Sequence, residues 1–468
     1  MSPSLAMLLL YVAIQLGIGV VVSRRIRSED DYLVAGRSLG PVLATASVFA
    51  TWFGAETCIG AAGQVYAEGP GAVSADPFGY GLCLLLMGVL LAGPLWRRGA
   101  VTLADLFRER YSPAVERAVA VLIIPGSLLW AAAQIRAFGT VVALTGGLTP
   151  EAGMVIAIVI VLAYTATGGM LADAYTDVLQ GAVLVGSLVV LLVVALPDLG
   201  ALASSMSAAP SVTASPSAAP SERGVLVTLN DWAIPVLGSL FAQELVMRIS
   251  SARSARLAQR STVAAGGLYL VVGAIPVALG LLGRTVVPGI GEADAVLPAV
   301  TRHYLGEIGF VVLSGALISA ILSTVDSALL ACGSLVAHNL LPASVRQRGD
   351  RTALRVARGS VIGLGVVAYG LAHGSDSVHD LVQEASAFGS AGVFVIGVLA
   401  LTGRVGGPAA ALTALGLGVV SWVVLAHGVD SPIAFLLSLA CAAAGYAAVS
   451  LLGRNGVSAS LESGDSES

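Results

Sequence analysis

The chain has 468 residues, of which 56% are hydrophobic and only 11% are charged, and its net charge is −4. A soluble domain carries roughly 25% charged residues, so this composition excludes a soluble enzyme, a disordered chain and a protein with a general affinity for nucleic acid. All 24 basic residues are arginine, which also excludes chemistry that depends on lysine.

Thirteen apolar stretches are long enough to cross a membrane, which takes about 20 mostly apolar residues. The predicted spans are 3–22, 41–66, 76–96, 115–144, 151–168, 173–196, 230–250, 262–287, 306–338, 354–373, 380–402, 407–427 and 432–453. The first lacks the basic start and the small-residue cleavage site of a signal peptide, so we interpret it as a span. The chain is therefore predicted to be an all-α integral membrane protein with one transporter domain, 1–468.

Two segments outside the spans are polar and of low complexity. Residues 203–222 are rich in Ser, Ala and Pro and predict a flexible outer loop, and residues 454–468 predict a disordered tail. Only this short tail follows the last predicted span, which disfavours a membrane sensor with an added signalling domain. Neither segment carries residues typical of a catalytic site.

The arginines predict the orientation of the chain. Twenty of the 24 are assigned to one side of the predicted spans, and the group at the end of span 230–250 and after it includes Arg248 and Arg253. Because positive charge is retained in the cytoplasm, the N-terminus is predicted outside and the C-terminus inside, in a plasma membrane.

Two spans, 41–66 and 230–250, combine helix-breaking residues with acids at membrane depth. These residues are Gly54, Glu56, Thr57, Gly60 and Gly63 in the first, and Pro235, Gly238, Gln243 and Glu244 in the second. Unwound backbone persists at that depth only where it lines a site, although small residues also serve close helix packing.

The positions of these two spans favour a transporter. Grouping the spans as 41–196 and 230–402 gives two sets of five, each beginning with an interrupted helix. Five is odd, so the second set is inverted relative to the first. Interrupted helices at corresponding places in two halves predict a central transport site.

Charged residues are few within the predicted spans, where each costs roughly 3 kcal/mol or more and is functional by default. Glu56, Glu244 and Glu384 lie nearest mid-span, and we predict that they line a polar cavity. We also place Asp76, Arg136, Asp177 and Asp326 at membrane depth. Asp76 and Asp177 could instead lie at the membrane interface. Glu56 or Glu244 could instead have a structural role, as the ion-pair partner of Arg136.

Span 306–338 carries adjacent hydroxyls, Ser323 and Thr324. Such groups beside free carbonyls suit a hard cation such as sodium, although membrane hydroxyls also bond back to their own helix.

Four segments in order resemble the sodium:solute symporter family. They are DDYLVAGRSLG (30–40), TATGGMLADAYTDVLQ (165–180), GALISAILSTVDSALL (315–330) and AFGSAGVFVIGVLAL (387–401). The resemblance implies a LeuT-type five-plus-five inverted repeat, no enzymatic activity, and sodium as the coupling ion. It places the ion between spans 41–66 and 306–338. The implied ligands are the carbonyls of Ala50, Phe53 and Ala320 and the hydroxyls of Ser323 and Thr324, with Asp177 on the inner exit route.

Within the family, the choline-transporter branch is the most similar. Trp52, Tyr80 and Trp130 would then form part of an aromatic cage for a cation, although ordinary helix packing is the alternative. The tryptophan expected near Ala242 is missing, and Glu56 replaces a small residue. The resemblance, together with the excess of acids over bases at membrane depth, implies a cationic or amine-bearing solute such as choline. The candidate substrate-binding residues are Trp52, Glu56, Thr57, Asp76, Tyr80, Trp130, Gln243, Glu244 and Glu384.

Two other functions stay open at this point. One is proton coupling on the same fold, with Glu56 or Glu384 as the carrier, and the other is a transporter-like sensor. The expected partners are a small-molecule substrate and the lipid bilayer, without nucleic acid. A membrane-embedded enzyme is disfavoured, since none of the five histidines has ligand spacing with another.

Overall fold

A computed structural model describes residues 28–69, 76–146, 148–208, 224–342, 350–374, 377–403 and 406–464, with a few scattered residues before 28. The regular secondary structure of this described part is helical, apart from an isolated bridge between Leu39 and Ala252. The first predicted span, 3–22, lies almost entirely outside it.

From residue 28 onward, the described part of the chain contains a short 3-10 helix, Ala35–Arg37, and sixteen helices of six residues or more. In chain order they are α1 Glu29–Val34, α2 Pro41–Trp52, α3 Glu56–Glu68, α4 Phe78–Arg97, α5 Leu103–Arg110, α6 Pro113–Gly146, α7 Pro150–Ala208, α8 Val225–Gly238, α9 Gln243–Ser251, α10 Ala255–Val286, α11 Ala293–Leu340, α12 Asp350–Ala372, α13 Val378–Ala387, α14 Ser390–Thr402, α15 Pro408–Gly428 and α16 Ala434–Gly464.

The chain is a multi-pass membrane protein by the length and hydropathy of these helices. Within the described residues, 8 helices could each cross a membrane, or up to 11 if each bent pair counts as one span. The predicted span 151–168 corresponds to a shorter apolar helix, Pro150–Ala163. The predicted count of thirteen is therefore not recovered in full from the described helices.

Three helix pairs are sharply bent at short breaks. The axes change direction by 48° between α2 and α3, by 42° between α8 and α9, and by 42° between α13 and α14. The sequence predicted the first two interruptions. It missed the third, because Gly389 at this break does not differ in sequence from Gly392 and Gly397, which lie within a regular helix.

Two longer helices are kinked at glycines in left-handed conformation. Gly169 (φ 55°) divides α7 where the sequence predicted separate spans, and Gly306 (φ 63°) divides α11 at the start of predicted span 306–338. The span limits predicted from hydropathy therefore lie close to the places where the backbone of each helix changes direction.

Two helices run further than their apolar stretches. Helix α7 continues to Ala208, so the predicted outer loop is helical over 203–208 rather than irregular, and 209–223 lie outside the described residues. Helix α16 continues to Gly464, into the segment predicted as a tail, and 465–468 are not described. A fall in hydropathy marks where a helix leaves the membrane, whereas backbone hydrogen bonds can continue beyond that point.

The two predicted interrupted helices are tied together at the end where α2 begins and α9 ends. The N–H of Leu39 donates to Ser251 (3.0 Å), and the N–H of Arg253 donates to the carbonyl of Leu39 (3.2 Å). The indole of Trp96 donates to Ala252 (2.7 Å). These bonds fix α9 against the start of α2 and thereby position the helix breaks near one another.

Candidate substrate and cation site

A cavity lies where the breaks of α2–α3, α8–α9 and α13–α14 meet α6 and α11. It contains about 680 Å³ of empty space when the part that is open to solvent is included. Its lining residues are Thr51, Trp52, Leu122, Ile123, Gly126, Ser127, Trp130, Gly238, Ser239, Phe241, Ala242, Gln243, Glu244, Thr324, Ala385, Ser386, Phe388, Gly389, Ser390 and Val393. Of the predicted substrate residues, Trp52, Trp130, Gln243 and Glu244 are among them.

The three predicted aromatic residues form one cluster. The ring centroid of Trp52 lies 5.4 Å from that of Tyr80 and 5.9 Å from that of Trp130, and Tyr80 and Trp130 are 5.8 Å apart. Tyr80 stands behind the two tryptophans, with its hydroxyl hydrogen-bonded to Ser386 (2.9 Å). Two tryptophan rings therefore face the cavity and the tyrosine supports them.

The cavity wall contains two further aromatic residues that the sequence did not predict, Phe241 and Phe388. Each lies in a helix break, Phe241 between α8 and α9 and Phe388 between α13 and α14. Phe241 immediately precedes Ala242, where the family resemblance placed a missing tryptophan. An aromatic residue next to a break was the signal that could have identified them.

Glu244 is the one carboxylate on the cavity wall within the described part of the chain, and no basic side chain lines that wall. It is buried, its Oε1 has no hydrogen-bond partner among the described residues, and its carboxylate lies beside Ser127. The cavity thus offers negative charge without a fixed countercharge.

Gln243 has a mainly structural set of contacts, although it also lines the cavity. Its Oε1 accepts from the N–H of Leu103 at the start of α5 (2.7 Å), and its Nε2 donates to Ser334 on α11 (3.1 Å). The break of α8–α9 is thereby bound to helix α5.

Glu56 braces the break of α2–α3 and is not part of the cavity wall. Its Oε1 accepts from the N–H of Gly54 (3.0 Å), and its Oε2 accepts from Nε2 of Gln134 (2.8 Å). Oε1 of Gln134 in turn accepts from the N–H of Ala55 (3.2 Å). Two backbone donors freed by the break are satisfied in this way, as a helix end at membrane depth requires. Gln134 is not among the residues predicted from the sequence.

Three other predicted substrate residues also lie away from the cavity wall. The hydroxyl of Thr57 is hydrogen-bonded to Asp76 (3.2 Å) and to the hydroxyl of Tyr269 (2.6 Å). Glu384 is half-exposed and pairs with Nε2 of His427 on α15 (2.9 Å). These contacts connect α3 to α10 and α13 to α15.

The predicted sodium ligands lie where α2 ends against α11, and all five residues are buried. A Cβ added to Gly54 would lie 3.0 Å from Oγ1 of Thr324, which is a tight contact, so Gly54 favours this close approach of the two helices. Oγ1 of Thr324 donates to the carbonyl of Ala320 (3.1 Å) and keeps its lone pairs for a cation. Hydroxyl and carbonyl oxygens in a buried cluster are ligands that suit a hard monovalent cation.

Ser323 connects this cluster to a buried charge network. It donates to Asp177 and to Asp173 (3.3 Å). Arg248 donates to Asp173 and Ser327, and to the carbonyl of Ser47 (3.2 Å). Asp173 is not among the residues predicted from the sequence, which assigns Arg248 to the inner surface. That assignment is wrong, because α9 carries Arg248 inward and leaves it 1% exposed.

Asp326 lies in the same buried network, three residues after Ser323 on α11. Neither of its carboxylate oxygens has a hydrogen-bond partner among the described residues. The predicted inner residue Asp177 thus belongs to a larger acidic group than the sequence indicated.

Helix α5 forms a polar contact layer with the end of α11. Asn339 donates to Asp105 (3.0 Å) and to Glu116 (2.9 Å), and it accepts from Thr102 (2.8 Å). Burial raises the pKa of Asp105, but hydrogen bonding and charge from His338, together with two backbone N–H donors, lower it to about 2. Asp105 is therefore ionised at neutral pH and holds α5 against α11.

A model described as the sodium:solute symporter family matches residues 32–418 of the chain. The chain belongs to the sodium:solute symporter family. This confirms the resemblance drawn from the four sequence segments.

Individual relatives of this symporter-family chain agree with that result. It is 30% identical over 373 residues to the high-affinity choline transporter 1 of Torpedo marmorata, covering 75% of this chain and 63% of that protein. The chain thus spans less than two thirds of the length of that relative. It is 25% identical over 416 residues to the sodium/proline symporter of Escherichia coli K12, covering 83% and 81%.

A solved structure shows the same fold. The substrate-bound, outward-open state of a Na+-coupled sialic acid symporter superposes with a TM-score of 0.79 at 16% identity, covering 96% of this chain and 97% of that one. At this identity the likeness concerns the fold alone.

Proposed function

We propose that this protein is a sodium-coupled symporter that imports a small cationic or amine-bearing solute, such as choline, across the plasma membrane by alternating access. The observation that carries the proposal is the cavity, because its wall combines Trp52 and Trp130 with Thr324, a predicted sodium ligand. Substrate and ion sites that share one wall provide a direct route for coupling.

The proposed architecture has thirteen spans, with inverted repeats at 41–196 and 230–402, an extra N-terminal span and two C-terminal ones at 407–453. The breaks of α2–α3 and α8–α9 open the two proposed repeats, which supports this division. The N-terminus would be outside and the C-terminus in the cytoplasm. Rocking of one repeat against the other would then expose the cavity alternately to each side.

Sodium would be held by the carbonyls of Ala50, Phe53 and Ala320 and by the hydroxyls of Ser323 and Thr324. The burial of this oxygen set and the approach of Gly54 to Thr324 support the assignment. Asp177, hydrogen-bonded to Ser323, would receive the ion on its way to the cytoplasm.

A cationic solute is favoured by the surfaces of the cavity. A cation over an aromatic face gains about 0.5–2 kcal/mol per contact, and four aromatic rings line this wall. Glu244 adds negative charge. One sodium ion at −100 mV and a tenfold gradient supplies about 3.7 kcal/mol, enough to accumulate a neutral solute several hundred-fold.

Uptake of radiolabelled choline into proteoliposomes under an inward sodium gradient tests the proposal. We expect uptake that requires sodium and rises with an inside-negative potential. Uptake that ignores sodium and follows a pH gradient would instead identify a proton-coupled transporter. Sodium-dependent binding without any uptake, across a panel of amines, amino acids and sugars, would indicate a sensor.

A further inference from the structure

Glu244 is placed to choose among ligands by their charge. It lies in the first turn of α9, next to the helix break, its side chain is buried, and Oε1 has no hydrogen-bond partner among the described residues. The nearest basic group along its helix is Arg248, which donates to Asp173, Ser327 and Ser47. A buried carboxylate without a fixed partner is costly unless a ligand supplies the positive charge.

The tryptophans lie close to this carboxylate. Ser127, beside Glu244, and Trp130 are three residues apart on α6, so both project from one face of that helix into the cavity. Trp52 packs on Trp130 with centroids 5.9 Å apart. A positive group at this end of the cavity would contact aromatic faces and a carboxylate together.

A hydroxyl cluster forms another part of the wall. The hydroxyl of Ser239 donates to that of Ser386 (3.2 Å), which is also hydrogen-bonded to the hydroxyl of Tyr80 (2.9 Å). Ser239 and Ser386 both line the cavity. Hydroxyl groups both donate and accept, so this cluster can receive a ligand hydroxyl without a charge of its own.

We infer that Glu244 selects ligands by charge and that the Ser239–Ser386 pair forms hydrogen bonds with a ligand hydroxyl. The substrate is therefore a compact amino alcohol with a net positive charge. The inference rests on the proposed function and narrows it. A zwitterion of similar size, such as glycine betaine, is disfavoured because Glu244 repels its carboxylate. No basic side chain among the described lining residues would compensate for this repulsion. The same argument disfavours amino acids.

Binding to purified protein in saturating sodium tests both parts with three ligands of similar size. Choline carries the charge and the hydroxyl, ethyltrimethylammonium lacks the hydroxyl, and glycine betaine carries a carboxylate. We expect choline to bind at least about tenfold more tightly than glycine betaine, and several-fold more tightly than ethyltrimethylammonium. Isothermal titration calorimetry measures this without any need for transport.

Glu244→Gln should weaken choline binding about tenfold or more and shrink its preference over glycine betaine. Glu307→Gln, an exposed acid paired with Arg302, is the matched control for surface charge and should change neither. Ser386→Ala should reduce the preference of choline over ethyltrimethylammonium. Ser261→Ala, whose hydroxyl bonds its own helix at Leu257, is the control for a lost hydroxyl. Sodium-induced thermal stabilisation shows that each variant is folded.

Several results would overturn the inference. They are the absence of choline binding, equal binding of choline and glycine betaine, or an unchanged ratio in Glu244→Gln. Sodium-driven uptake of a different solute would in that case still support the proposed symport function. Conversely, choline binding that depends on Glu244 without sodium-driven uptake would support the inference and remove the proposed function.

Discussion

The guanidinium of Arg248 donates to the carboxylate of Asp173, and both side chains are buried, at 1% and 0% exposure. The same guanidinium reaches Ser327 on α11 and the carbonyl of Ser47 on α2. One cation therefore connects α9 to three other helices of the core. The second broken helix is held beside the predicted sodium site by this arrangement.

Arg248→Met should destabilise the protein, because it leaves the Asp173 carboxylate buried without its partner. Removing one member of a buried ion pair costs about 3–5 kcal/mol. We expect a clear fall in the melting temperature of the detergent-solubilised protein, followed by tryptophan fluorescence. The double variant Arg248→Met with Asp173→Asn should recover part of the loss. A double variant that is no more stable than Arg248→Met would contradict this account.

Removing the two hydroxyls of the proposed ion site should weaken sodium dependence. Ser323→Ala with Thr324→Ala deletes two of five oxygen ligands, and we expect the sodium concentration for half-maximal uptake to rise at least about tenfold. Thr301→Ala, on the same helix with its hydroxyl bonded to Leu297 (2.7 Å), is the control. Unchanged sodium activation in the double variant would show that the ion binds elsewhere.

Trp130 should contribute to substrate affinity through its ring. Trp130→Ala removes a cavity wall and the packing of Trp52 and Tyr80, while Trp130→Phe keeps an aromatic face. With about 0.5–2 kcal/mol per cation–aromatic contact, we expect the alanine variant to lose roughly 2- to 30-fold in affinity. The phenylalanine variant should lose less. Equal loss in both, measured by choline binding, would contradict the proposed use of the aromatic face.

Gly238 should tolerate no side chain, because a Cβ there would lie 2.3 Å from the backbone oxygen of Ser386. Gly238→Ala must push the α8–α9 break away from α13, and overpacking of this kind costs about 1–3 kcal/mol. We expect a lower melting temperature together with weaker substrate binding. Gly267→Ala is the matched control on α10, where a Cβ has no neighbour within 4 Å. It should be neutral or stabilising.

Glu56→Gln should lower the stability of the protein without changing its substrate selectivity. Glu56 accepts bonds from Gly54 and Gln134, so a partly donating amide breaks that network and should lower stability by about 1–3 kcal/mol. The ratio of choline to glycine betaine binding should stay unchanged, in contrast to Glu244→Gln. A changed ratio would return Glu56 to the list of substrate-binding residues.

Much of the fold could be predicted from the sequence, because the bilayer restricts which backbone conformations and charged groups a chain can place inside it. Long apolar runs must be helices there, and glycine, proline and acids within them mark places where backbone or charge needs a local partner. The breaks at Gly54 and near Gly238 were predictable on this basis. The family was predictable as well, since its motifs are local segments of sequence.

The roles of individual acids depended on the tertiary structure. Glu56 and Glu244 look alike in sequence, as acids beside a break in an interrupted span, yet one caps backbone donors and the other faces a cavity. The sequence predicts Arg248 at the surface because this residue stands at the end of an apolar run. In the structure it is buried, because α9 directs its side chain toward Asp173. Partner identity is set by which helices meet, and those contacts join residues far apart in the chain. Sequence alone determined the membrane environment, the breaks and the family, whereas helix packing decided which polar groups are satisfied and which remain available to a ligand.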